Sequence, residues 1–86
     1  MKVLEKLIEK NRDLDYKAEG THLKIVGESG YALVKQVKRG YKGNVFHVEV
    51  FDRNSKYVDG TTEYHLYHAI ETGIWMLRGT QEPEVA

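Results

Sequence analysis

The chain has no cysteine, a single proline and no long apolar run, and each absence removes a class of protein. Without thiols there is neither a disulfide framework nor a thiolate zinc cage, so hydrophobic packing or self-association must supply the stability. A reducing cytoplasm is the expected setting. The apolar runs are only a few residues long, and the first segment alternates Lys with Glu, so neither membrane insertion nor export is expected. Charge of one sign is also missing: thirteen basic residues balance thirteen acidic ones. That balance argues against both a DNA-mimicking acidic inhibitor and a strongly basic nucleic-acid coat protein. One local gap breaks it. No carboxylate lies between Glu28 and Glu49, an interval that holds Lys35, Lys38, Arg39 and Lys42.

Eighty-six residues leave room for one core. Residues 2–10 read as a short amphipathic helix, with Val3, Leu4, Leu7 and Ile8 at helical spacing and Asn11 as its stop. Residues 13–19 are polar and read as a connection, with Leu14 folding back onto the core. From Thr21 the period falls to two, giving strands over 21–26, 31–38 and 44–51 joined by the glycine-rich links 27–30 and 40–44. Residues 56–58 add at most a short fourth strand at an edge.

Thr61 or Thr62 then reads as an N-cap, with Glu63 placed well for the helix dipole. The second helix is expected to carry Arg78 in its last turn and to stop at Gly79. Leu66, Ile70, Ile74 and Leu77 form its apolar stripe, and Ala69 and Gly73 mark a place where another element approaches closely. The expected fold is α+β: an N-terminal helix, an antiparallel meander of three or four strands and a C-terminal helix, with both helices on one face of the sheet. It forms one domain over 1–79, with a mobile tail over 80–86.

Alternation leaves apolar groups on both sheet faces, and two short helices cover only one. Which face the helices cover is left open; whichever stays uncovered carries aromatic or aliphatic side chains, and Tyr31 and Phe51 are the candidate protein-binding residues of the sheet. Such groups are common on any surface, or they mark an interface. On the second helix Tyr64, Tyr67, His68, Glu71 and Trp75 form a further stripe, which either widens the core face or binds a protein. The basic hairpin of Lys35, Lys38, Arg39, Tyr41 and Lys42 combines phosphate-neutralising charge with stacking faces; a solvated edge explains the same residues.

Other chemistry is poorly supported. His65 and His68 lack further ligands at any zinc spacing, so no metal is expected. No nucleophile motif or phosphate loop accompanies the His68 and Glu71 pair, so neither a catalytic residue nor a cofactor is assigned. The helix, meander, helix order resembles the double-stranded RNA-binding domain over residues 2–78. The stretch that would carry that family's phosphate-gripping lysines is here Thr62-Glu-Tyr-His65, and the first hairpin is Gly27-Glu-Ser-Gly30, so its function is not carried over. In size and lack of cysteine the chain is similar to small accessory proteins of phages and mobile elements. The expectation is a non-enzymatic protein-binding module, of inhibitor or adaptor type and homodimeric; nucleic-acid binding through the basic hairpin is the alternative.

Overall fold

The computed structural model describes residues 2–38 and 43–81. Helix α1 (Lys2–Lys10) is followed by five strands, β1 (Asp15–Glu19), β2 (His22–Val26), β3 (Gly30–Lys38), β4 (Asn44–Asp52) and β5 (Tyr57–Glu63), and then by helix α2 (Leu66–Gln81). The strands form one antiparallel meander in chain order, β1-β2-β3-β4-β5. The α+β class, the meander and the two flanking helices agree with the sequence reading.

The sheet is larger than the sequence suggested. Residues 15–19 form an edge strand rather than a connection, paired with β2 from Asp15 opposite Val26 to Glu19 opposite His22. The loop between them is only Gly20 and Thr21, and Gly20 takes a φ of 62°, which glycine adopts without strain. Just before β1, Leu14 is buried as expected. The last strand runs over Tyr57–Glu63, so Thr61 and Thr62 are not N-caps: they lie opposite Val48 and His47. These β-branched residues suit a pleated surface. Helix α2 begins later, its first turn closed by the Ala69 N–H donating to His65 O at 2.9 Å. It also ends later, continuing past Gly79 to Gln81. Residues 82–86 of the expected tail, and positions 39–42, which include 40–42 of the expected link 40–44, fall outside the described residues. Five strands where the double-stranded RNA-binding topology has three weaken that resemblance further.

The register decides which sheet face is inside. Leu23 and Ile25 lie opposite Val34 and Ala32, which in turn lie opposite Val48 and Val50. These residues form the core with Ala69, Ile70, Ile74 and Leu77 of α2 and with Leu7 of α1. Gly73 lets α2 settle onto the middle of this floor: a Cβ there would sit 3.3 Å from Val48 Cγ1 and 3.6 Å from Ala32 Cβ. Helix α1 is too short to be stable alone and is held by packing and by side chains. Leu4 and Leu7 join the core. Arg78 of α2 reaches back to the end of α1, where its guanidinium donates to Asn11 Oδ1 at 2.7 and 3.1 Å and grips both carboxylate oxygens of Asp13 at 2.8 and 3.1 Å.

Candidate protein-binding surfaces

The residues expected to bind a partner divide between two opposite surfaces. The first is the outward side of α2. Because Ala69, Ile70, Gly73, Ile74 and Leu77 turn inward, helical spacing carries His68, Glu71 and Trp75 to the far side, and all three are exposed. Trp75 is 76% exposed and Tyr64, just ahead of the helix, 71%. Trp75 therefore does not widen the core stripe. Tyr67 does: it is partly buried and packs against the core cluster, so it leaves the exposed set. The His65 and His68 rings meet edge to face with centroids 5.4 Å apart. Among the described residues no group of three His, Asp or Glu side chains is placed to hold a metal.

The second surface is the sheet face turned away from α2. The core cluster draws only on the Leu23, Ile25, Ala32, Val34 and Val48 face, so Val26, Leu33, Val37 and Phe51 stand outside it. Cross-strand pairing lines up Val26, Tyr31, Phe51 and Tyr57 at one level. The Tyr31 and Phe51 rings stack at 5.1 Å and 19°, and Tyr57 meets Phe51 edge-on at 6.0 Å. Lys24 Nζ lies over the Tyr31 ring, 4.6 Å from its centre. Tyr31 also donates its hydroxyl proton to Ser55 Oγ at 3.1 Å, tying the row to the β4–β5 turn. That turn is built by Asp52, whose carboxylate accepts the N–H groups of Asn54 and Lys56 at 2.9 Å each and carries Ser55 through a φ of 65°. Tyr31 and Phe51 were named from the sequence without their face, and the register places them opposite each other here. Lys24 and Tyr57 were missed because only the register, with β5 a full strand, brings them alongside.

The charges on this face are mixed. Asp15, Glu19 and Glu49 accompany Lys17, Lys24 and Lys35, and Lys35 Nζ is already paired with Glu49 at 2.9 Å. Three carboxylates and three lysines leave no surplus of cations on this face among the described residues. Of the expected basic hairpin, Lys35 is this ion-paired residue and Lys38 closes β3, whereas Arg39, Tyr41 and Lys42 lie outside the described residues. A shallow open groove also runs beside the Gly20–Thr21 turn, floored by Leu23, Val34, Phe46 and Leu66, where the start of α2 leaves the core side of the sheet uncovered.

Two groups at the junction of α1 and α2 have shifted titration. The Arg78 guanidinium holds the Asp13 carboxyl below its ordinary value through their hydrogen bonds. Burial raises the Tyr16 phenol, whose hydroxyl donates to Asn11 O at 2.9 Å. Both groups serve the docking of α1 and neither faces a cleft. Comparison with protein-family models, with curated proteins and with solved structures finds no match to this chain.

Proposed function

We propose that this chain is a small, non-enzymatic, cytoplasmic protein-binding module of inhibitor or adaptor type, that it self-associates, and that it meets its protein partner with the outward side of α2. The observation that carries the reading is Trp75. A tryptophan projecting from the middle of a helix, diametrically away from the core and 76% exposed, adds little to the fold and suits an anchor for a partner's pocket. Tyr64, just ahead of the helix, is a second exposed aromatic, and Glu71, one turn before Trp75, adds a carboxylate. The complementary partner surface is an apolar cleft deep enough for an indole, with a basic group at its rim. The non-enzymatic part of the reading rests on the sequence, which carries no nucleophile or phosphate-loop motif. It is supported by the placement of His68 and Glu71 on an exposed convex helix rather than in a cleft.

The test is quantitative affinity capture from native extract with the wild-type chain and with Trp75→Ser as parallel baits. Truncating a buried aromatic anchor typically costs about 2–4 kcal/mol of binding, roughly 30- to 1,000-fold in affinity. A protein retained by the wild type and depleted on Trp75→Ser is the expected result, with thermal stability changed by no more than about 0.5 kcal/mol because the side chain is outside the core. Identical protein recovery on both baits would contradict the assignment.

A further inference from the structure

We infer that the open face of the sheet is occupied by a second copy of this chain, packed face to face about a two-fold axis running along β3. The inference rests on the self-association proposed above and adds its surface and register. The area of the face is sufficient. Five strands about 4.8 Å apart and roughly 3.3 Å per residue give the face an outline of about 550 Å² per copy, or about 1,100 Å² for two, before side-chain relief is counted and including the corner at Val45, which is already buried. That total reaches the roughly 1,000 Å² a specific interface needs.

Charge placement selects the axis. Lys24 and Glu49 both lie opposite Leu33, one on each neighbouring strand, so they flank it at a single level. Rotation about β3 exchanges the two sides. It sets Lys24 of each copy over Glu49 of the other, which makes two reciprocal ion pairs, and it lays Leu33 on Leu33 at the axis. One level away the same rotation puts Val26 over Phe51 and Tyr31 over Tyr31, so the aromatic row closes on itself. Lys35 also falls near the axis, where its charge is already met by Glu49 of its own chain at 2.9 Å. Aligned sheets stack about 10 Å apart with strands crossing at about 30°, a rotation that displaces the groups level with Leu33 least.

The test exploits the reciprocity of a two-fold interface. Lys24→Glu alone sets Glu against Glu49 twice in its own dimer, and Glu49→Lys alone sets Lys against Lys24 twice. Each is expected to weaken the dimer about tenfold or more in sedimentation equilibrium. An equimolar mixture of the two variants restores attraction at both pairs, and its heterodimer is expected to recover near wild-type affinity, which no effect within one chain can imitate. A second measurement does not depend on these variants folding. The chain has no cysteine, so Leu33→Cys carries a unique thiol, and a short bis-maleimide is expected to link it into a dimer but to leave Trp75→Cys, on the opposite surface, monomeric. A wild-type monomer at hundreds of micromolar would overturn self-association itself. A wild-type dimer with no heterodimer rescue and no cross-link at position 33 would overturn this face and register while leaving self-association standing.

Discussion

Replacing Gly73 separates the helix's own preference from the fit of the sheet beneath it. Alanine gains about 1 kcal/mol of helix propensity over glycine and buries one methyl, worth about 0.8 kcal/mol. Against this, its Cβ would lie 3.3 Å from Val48 Cγ1, inside the 3.5–4.0 Å optimum for carbon pairs, while the approaches of 3.6 Å to Ala32 and 3.9 Å to Ile25 are ordinary. Val48 has to yield by a few tenths of an ångström, so Gly73→Ala is expected within about 1 kcal/mol of wild type, on the stabilising side if Val48 can move. Gly73→Val is different: two further methyl groups meet a floor whose residues are fully buried, an overpacking that costs about 1–3 kcal/mol beyond its poorer helix propensity. Equilibrium urea unfolding at fixed protein concentration reads both, and each kcal/mol corresponds to roughly 4–8 °C in Tm for a domain of this size. If Gly73→Val proved as stable as Gly73→Ala, α2 would not sit directly on β3 and β4, and the assignment of the sheet's inner face would fall with it.

The Arg78 clasp gives a pH signature. Because the Asp13 pKa is lowered in the folded state, its contribution is fully present above the unfolded carboxyl's value and is lost as pH falls through the lowered one. Melting temperature below about pH 5 should therefore fall less steeply in Asp13→Asn than in wild type, and equal slopes would contradict the clasp. Nucleic-acid binding is expected to be absent at physiological salt. Micromolar binding with a steep salt slope, flattened by about one unit for each phosphate left unneutralised in a quadruple alanine variant of Lys35, Lys38, Arg39 and Lys42, would reverse the choice of partner.

Where one residue type fixed one conformation, the fold could be read directly from the chain. The stripe of Leu4 and Leu7, the alternation of Phe46, Val48 and Val50, and the small residues Ala69 and Gly73 all act as expected. The first edge strand was missed, and the last was expected only as a short piece over 56–58, for a shared reason. Edge strands bury little, so Asp15–Glu19 shows only Tyr16 partly buried, and the part of β5 beyond Val58 reads as a polar helix entrance because both its faces are largely exposed. Their strand character comes from pairing with a neighbour, which a local window does not contain. The same limit applied to the candidate sites. Helical spacing put Trp75 beside Glu71 correctly, but it could not separate Tyr67, turned toward the core, from Tyr64, turned away. Tyr31 and Phe51 were chosen for their chemistry, yet their stacking, and the place of Lys24 and Tyr57 beside them, follow from the register of four strands.

Site-specific photo-crosslinking in cells asks directly whether the outward side of α2 is a protein-binding surface. A photoreactive phenylalanine analogue placed at position 75, and separately at Val3, which is also an exposed apolar site but lies on α1, compares two surfaces of similar chemistry. A discrete protein adduct is expected from position 75 and not from position 3. No adduct at position 75, an adduct of equal yield at both positions, or a nucleic-acid adduct in place of a protein would contradict it.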